Sequence, residues 1–440
     1  MYGTKRYTSW GRYPKATPEQ IVRLHWLDQL PRLDEYQTSL LPFGLGRSYG
    51  DSCLNEGGTL LDTTALNRFI AFDRVNGILR CEAGVSLAQI LELVVPHGWF
   101  LPVSPGTKFV TLGGAIANDV HGKNHHKDGT FGRHVTCFEL LRSDGERLMC
   151  SPTQNSDYYR ATIGGLGLTG LILWAEFQLK RIPSYLIDSE DLQFNGIDDF
   201  FELSRLSTHY TYSVSWLDCT AGGDNFGRGV FNRGEFFDPP LGVDKPHRFP
   251  PILPVPFDFP NFTVNNVTTS IFNQLFYHKQ VFPVRRSVKP YHSFFYPLDV
   301  ASDWYYLYGK NGFVQYQLVV PYQDGYDHVK EIFRMIVRSG QASPLIVFKT
   351  FGTLQSPGML SFPREGVTLA IDFAFKGETT LQLLNQLDEI VFAVNGALYP
   401  AKDARMSGAA FRKSFPNWET FVPFIDPKFS SSFWRRINAK

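Results

Sequence analysis

The sequence predicts an α+β protein of two or three domains, on three observations. Its 440 residues exceed what one hydrophobic core usually serves. Roughly the first 180 residues alternate short strands and helices without the regular strand–helix–strand cadence of a doubly wound parallel sheet. From Ile182 the texture changes, and strand-like runs alternate with long segments rich in Pro and Phe. Breaks near 182 and 396 divide the chain into 1–182, 183–396 and a basic tail, 397–440.

In chain order, Thr17, Pro18 and Gln20 read as a helix cap, with Ile21, Leu24 and Leu27 at helical spacing. Phe69 to Phe72 and Ile78 to Cys81 flank Asn76-Gly77, the dipeptide a type I′ hairpin prefers. Ser86 starts a helix whose Leu87, Ile90, Leu91 and Val94 share a face, with Gly98 past its end. Cys137 to Leu141 and Leu148 to Cys150 form a hairpin through Asp144-Gly145, Asn155 to Ile163 is helical, and Leu171 to Leu179 is a long strand. Tyr210 to Leu217 and Phe313 to Val320 are strands, and Leu381 to Val394 is a helix ending at Gly396. The prolines of Arg248 to Phe276 forbid a helix interior or central strand, so this greasy stretch reads as a long loop or lipid-facing flap.

Composition excludes several functions. Lys plus Arg is 43 against 42 Asp plus Glu, a formal charge of +1, so no global nucleic-acid footprint exists. Cys53, Cys81, Cys137, Cys150 and Cys219 lack CxxC or zinc-finger spacing and read as free thiols of a reducing compartment. No apolar signal segment and no spanning run is visible, which predicts a soluble, cytoplasmic protein. The 38 Phe and 20 Tyr suggest aromatic-lined cavities or a surface that meets something greasy.

Three glycine clusters carry the chemistry. LPFGLGRSYGDSCLN, Leu41 to Asn55, crowds Gly44, Gly46, Ser48 and Gly50 into seven residues, enough to turn backbone amides inward as an anion nest. No Walker Gly-Lys-Ser/Thr follows, and the spacing misses GxGxxG by one residue. GLGLTG, Gly165 to Gly170, matches GxGxxG but has a helix before it and a strand after it, the reverse of the Rossmann order. TKFVTLGGAIANDVHGKNHHKDGTFGRHV, Thr107 to Val135, pairs Gly113-Gly114 with small residues that admit a flat ligand. Its His121, His125, His126 and His134 lack HEXXH spacing, and no metal is expected.

Together, GLGRSYGD, GTKFVTLGGAIANDVHGKNHH, GLGLTG and YPAKDAR resemble the FAD-binding oxidoreductases of the vanillyl-alcohol oxidase superfamily. Within these the chain is most similar to the decaprenylphosphoryl-β-D-ribose 2′-oxidases, which act with a reductase to epimerise ribose to arabinose. The resemblance spans nearly the whole chain, through WxD at Trp216, QYQ at Gln315 to Gln317 and VFKTFG at Lys349. It implies a two-part FAD-binding domain in 1–182, a substrate domain on an antiparallel sheet in 183–396, and a segment, 397–440, returning to the first domain.

Residue by residue, the resemblance gives the FAD pyrophosphate to Pro42, Phe43, Gly44, Leu45, Gly46, Arg47, Ser48, Tyr49, Gly50, Asp51 and Ser52. Gly106, Thr111, Leu112, Gly113, Gly114, Asn118, Asp119, Val120 and His121 complete the second loop, and Ile172 and Tyr399 lie along the cofactor. Lys123, Gln315, Gln317, Lys349 and Lys402 face the sugar phosphate, with Lys349 suited to the phosphate and the glutamines to hydroxyls. Trp216 is either a core aromatic or a substrate platform. Bound FAD accepts the hydride when a secondary hydroxyl is oxidised, and the protein supplies position and charge. Lys402 is the first choice for that charge or the proton relay, with Tyr49 and His121 as alternatives.

Two departures modify the expectation. Arg47 stands where flavin-tethering relatives carry His in GxGHS, which predicts non-covalent FAD. Ala370 replaces a cysteine of the best-known members, which removes thiol chemistry there, and 235–277 aligns poorly. The expected partners are a lipid-linked sugar phosphate, a short-chain reductase and the inner membrane face through peripheral contact, without nucleic acid. An aldonolactone or alditol oxidase, and a flavin-free lipid or glycan binding module, are the competing functions.

Overall fold

Three short strands, β1 (Gln20–Arg23), β2 (Leu40–Phe43) and β3 (Thr59–Asp62), begin the fold as a parallel sheet of order β1-β3-β2. The computed structural model describes residues 7–238, 252–322 and 325–439. The helix expected after Thr17 is therefore a strand. The Thr17 amide donates to Glu56 and that of Glu19 to Gly58, drawing the chain out along β3. Val22 and Leu24 then join the apolar cluster with Leu40 and Leu61 while Ile21 faces outward, an alternation of period two.

A five-stranded antiparallel sheet follows: β4 (Phe69–Asp73), β5 (Ile78–Glu82), β7 (Val135–Leu141), β8 (Arg147–Cys150) and β9 (Leu171–Gln178), in the order β4-β5-β9-β7-β8. The β4–β5 hairpin forms, but not through a two-residue type I′ turn. Asp73 accepts the amides of Val75 and Asn76, and only Gly77 of that pair takes positive φ, in a four-residue loop. α1 (Leu87–Val94) has its Ser86/Gln89 capping box and ends before left-handed Gly98. Short α2 (Leu112–Ala117), α3 (His125–Asp128) and α4 (Ser156–Thr162) complete this half, with β6 (Trp99–Phe100) paired to β10 (Lys180–Arg181). GLGLTG runs from α4 into β9, the non-Rossmann order.

The second half is an eight-stranded antiparallel sheet. Its strands are β11 (Leu186–Phe194), β12 (Tyr212–Leu217), β13 (Gly229–Phe236), β15 (Val284–Pro290), β17 (Phe313–Val320), β18 (Ile346–Phe351), β19 (Gly366–Ala374) and β20 (Ala397–Leu398). They are ordered β15-β11-β13-β12-β18-β19-β17-β20. α5 (Ile197–Leu206), α8 (Gly325–Ser339) and α9 (Glu378–Ala393) cover one face with Phe200, Ile332, Phe333, Leu384 and Leu387. Because side chains alternate along each strand, the other face is left to Asp191, Asn232, Trp216, Lys349, Thr368, Ala370, Gln317 and Gln315.

The stretch read as a loop through Phe276 contains a helix, α6 (Asn266–His278), capped by Asn265. Its last proline is Pro260, so nothing blocks helical hydrogen bonding beyond it. Residues 248–251 lie outside the described chain. β14 (Leu253–Pro254) pairs with β16 (Ala301–Ser302), and α7 (Tyr291–Phe295) follows β15. After α10 (Gly408–Ser414), the tail runs back along β2 through a Leu40–Phe429 bridge. In α11 (Ser432–Asn438), Arg436 pairs with Asp51 at 2.7 Å and Asp403 at 2.8 Å.

Candidate active site

The two glycine loops and the open face of the large sheet enclose one cavity of about 1550 Å³. The first loop leaves β2 and turns at Gly46, whose φ of +62° leaves an added Cβ only 2.7 Å from the Thr8 carbonyl. The backbone N–H groups of Gly44, Leu45, Gly46, Arg47 and Ser48 find no acceptor among the described residues. Five consecutive donors without partners suit an anion. The buried Ser52 hydroxyl, also at the cavity, has no partner either.

The second loop is fixed by Thr111, which caps α2 by accepting from the Gly114 amide at 3.2 Å. A Cβ on Gly44 would fall 2.5 Å from the Thr111 hydroxyl, so the loops touch, while one on Gly106 would meet open space. This donor set, with a floor of glycine and alanine, fits a dinucleotide with a flat ring. Ile172 and Tyr399 line the same space, Tyr399 donating its hydroxyl to the Asn118 carbonyl at 2.8 Å.

Of the residues expected around the cofactor, five do not reach the cavity wall. Phe43 packs inward on Tyr7, Leu112 is fully buried, and Gly50 lies against the Asp403 carbonyl. Asp51 is taken by Arg436. Asp119 is buried and accepts from the Gly132 amide, Ser356 and Ser361. All five stand behind the loops and anchor them. The other expected cofactor and substrate residues line the cavity.

At its inner end, Lys402 Nζ lies 3.7 Å from the centre of the Tyr49 ring. Burial lowers the Lys402 pKa from the usual lysine value, opposed by the Asp372 carboxylate and reinforced by Lys349. Burial raises that of Tyr49, so the phenol keeps its proton. His121 is held well below the usual imidazole value by burial and by Lys349, and is therefore neutral. Its Nδ1 lies 3.0 Å from Lys349 Nζ and its Nε2 3.0 Å from the Gln317 amide. A neutral imidazole offers one donor and one acceptor, so Lys349 and the Gln317 amide must take opposite roles toward it. Lys349 also donates to the Gly122 carbonyl and lines the cavity.

Asp372 is the residue that sequence reasoning missed. It lies opposite Gln315 in the β17–β19 ladder and accepts from Gln315 Nε2 at 2.5 Å, while its second oxygen is buried without a partner. Burial raises its pKa, with Gln315 and Lys402 pulling the other way. Period-two spacing from Thr368 and Ala370 was the available signal.

Trp216 stands on the cavity wall. Its Nε1 donates to the Pro344 carbonyl at 3.0 Å, while its ring meets Phe276 and forms cavity wall. His126 and His134 bond backbone carbonyls of Tyr210 and Asp128, and His125 accepts from the Gly352 amide. Among the described residues no three His, Cys, Asp or Glu side chains are placed to hold a metal ion.

Comparison with known proteins agrees with this geometry. A family model described as an FAD binding domain matches residues 30–151. The chain is 37% identical over 458 residues to decaprenylphosphoryl-beta-D-ribose oxidase of Mycolicibacterium smegmatis, covering 99% of this chain and 97% of the relative. It is 31% identical over 372 residues to an uncharacterised protein of Streptomyces coelicolor, covering 80% of this chain and 100% of the relative. Delta(24)-sterol reductase of Rattus norvegicus matches at 33% over 137 residues, 31% of this chain and 26% of the relative.

Proposed function

The chain belongs to the family of FAD-linked oxidoreductases that includes decaprenylphosphoryl-beta-D-ribose oxidase, and on that premise we propose the reaction it catalyses. It oxidises the 2′-hydroxyl of a polyprenyl-phosphoryl pentose, such as decaprenylphosphoryl-ribose, to the 2′-keto sugar. A short-chain reductase would complete the epimerisation to arabinose. The observation that carries this is the single cavity joining the glycine loops to a sheet face bearing Gln315, Gln317 and Lys349, and from there to an apolar mouth. In this reading residues 1–182 hold FAD, 183–396 hold substrate and 397–440 return to the first part.

The first loop would hold FAD without a tether. Arg47 replaces the attachment histidine, stacks 4.0 Å from the centre of the Trp10 ring and donates Nε to the Phe109 carbonyl. Lys402 takes the hydroxyl proton. Tyr49 is too weak an acid to exchange one, and His121 has both ring nitrogens engaged. Gln315 and Gln317 project from the same strand face toward hydroxyls.

The test is anaerobic mixing with farnesylphosphoryl-ribose, which should bleach the flavin. Bleaching only by lipid-free aldonolactones or alditols, with peroxide formed in air, would assign the soluble-sugar reaction instead. Purified protein that takes up no FAD would point to the binding module.

The pH profile tests Lys402. As acceptor it must be neutral, so the rate rises with pH through its lowered pKa. Asp372 holds that pKa up, and Lys349 pushes it down. Asp372→Asn removes the negative charge, lowers the Lys402 pKa and shifts the acid limb of kcat to lower pH, by about one unit or more. An unmoved limb would remove the pair from the mechanism.

We assign peripheral contact with the inner membrane face to α6 and its surroundings. Val267, Ile271 and Leu275 form an exposed stripe at spacings of four. Ile252, Phe272, Leu298 and Leu307 are also exposed while lining the cavity mouth. Among the described residues no helix is long and apolar enough to cross a membrane. The double variant Ile271→Glu, Leu275→Glu should lower binding to anionic vesicles about tenfold or more, since each lost apolar contact is worth about 1.5–3 kcal/mol. FAD content should not change, and undiminished vesicle binding would leave the stripe without this role.

A further inference from the structure

Lys402 stands between two residues that both touch the first glycine loop. The Tyr49 amide donates to the Ala401 carbonyl at 2.9 Å. Gly50 packs so closely on the Asp403 carbonyl that an added Cβ would fall 1.7 Å from its oxygen. Asp51, next in the loop, meets Asp403 through a cation. Both carboxylates are buried and would repel each other, and Arg436 of α11 lies between them.

The Arg436 guanidinium is used on every side. Nε and Nη2 donate to the two Asp51 oxygens at 2.8 and 2.7 Å, and Nη2 also donates to Asp403 at 2.8 Å. Nη1 donates to the Met406 carbonyl. Asp403 in turn accepts the amides of Arg405 at 3.2 Å and Met406 at 2.9 Å. The turn that carries Lys402 is thus closed on itself and bonded to residues 49–51 in three successive places. The neighbouring Arg435 provides a contrast, since its hydrogen bonds go to Ser39, Asn55 and Glu56, all within 39–56.

We infer that Arg436 is a positioning residue for the proposed reaction: one guanidinium grips Asp51 and Asp403 together, fixes Lys402 on the Tyr49 ring and so joins the cofactor loop to the proton acceptor. The inference rests on the function proposed above and adds a role for α11, none of whose residues lines the cavity. A lysine amine ends a flexible four-carbon stem, so it keeps a set place only where its backbone does. Around that amine stand Tyr49 of the first loop, His121 of the second, Lys349 of β18 and Asp372 of β19. A loosened turn would release Lys402 from these neighbours and from burial toward water, where an amine holds its proton to higher pH.

The test compares Arg436→Lys, Asp51→Asn, their combination and Arg435→Gln, each loaded with FAD. Lysine keeps a positive charge beside the two carboxylates, but a single ammonium cannot span them as the planar fork does. Per bound flavin, reduction by farnesylphosphoryl-ribose should slow about tenfold or more in Arg436→Lys, with KM changed less than about threefold. Asp51→Asn, which leaves Arg436 paired with Asp403, should slow it about threefold or more, and the combination about as much as Arg436→Lys alone, because both changes open one clamp. The acid limb of kcat should move to higher pH by about one unit in Arg436→Lys. Arg435→Gln should lower the melting temperature and leave the rate per flavin and the limb in place. Visible circular dichroism of the bound flavin, titrated with pH, should show the same upward movement without substrate.

Wild-type rate and limb in Arg436→Lys would overturn the inference, as would additive losses in the combination or equal losses in Arg435→Gln. Should Arg436→Lys fail to fold, an unchanged rate per flavin in Asp51→Asn would overturn it alone. A wild-type flavin that farnesylphosphoryl-ribose does not reduce would count against the proposed reaction instead, and the flavin titration would still decide whether the clamp sets Lys402.

Discussion

Gly46→Asp should give a folded protein that cannot keep FAD. At φ +62° the residue occupies left-handed space, which costs an L-residue about 1–2 kcal/mol, and its Cβ would sit 2.7 Å from the Thr8 carbonyl. The larger effect is electrostatic. The amides from Gly44 to Ser48 form a nest for phosphate, and a carboxylate there either fills it or opposes the pyrophosphate. Like-charge opposition of several kcal/mol corresponds to affinity weakened by about 10² or more. Gly46→Ala separates the two causes, keeping the strain and omitting the charge. Flavin absorbance relative to protein absorbance measures the result, with circular dichroism showing that the apoprotein is folded. Flavin retained at full occupancy in the Asp variant would place the pyrophosphate elsewhere.

Lys402→Ala should retain FAD and lose turnover. The amine lies on the Tyr49 ring and supplies none of the amides from Gly44 to Ser48, so its removal leaves the pyrophosphate nest in place. Loss of a positioned proton acceptor typically lowers a rate about 10²–10⁴-fold. Lys402→Arg sharpens the test, because a guanidinium keeps the positive charge but does not deprotonate. A rate restored by Arg would mean that Lys402 serves as a fixed cation. Full activity in the Ala variant would remove it from the reaction altogether.

The parts legible in the sequence were those whose chemistry is local. Glycines at 44, 46, 113 and 114 announce backbone placed close to a ligand, whatever the rest of the chain does. The capping box at Ser86 likewise specifies its own helix. The segment from Thr17 misled because its capping residues satisfy a local rule, while the bonds that decide its conformation come from Glu56 and Gly58. Asp372 carried only a weak signal for a related reason: its neighbours Gln315 and Lys402 belong to other elements, and strand register brings it to Gln315. Asp51 and Asp119 show the converse. Both belong to the glycine-loop motifs, yet each is spent on holding the loop rather than facing the ligand.

The central claim is that amides of two touching loops hold a flavin dinucleotide against the polar face of the eight-stranded sheet, with no covalent bond. A crystal structure of the protein purified with FAD tests it most directly. The account predicts pyrophosphate density within reach of the Gly44 to Ser48 amides, the isoalloxazine beside Lys402, Gln315 and Gln317, and no continuous density from any side chain to the ring. A flavin bound outside that cavity, or one joined covalently to the chain, would contradict it.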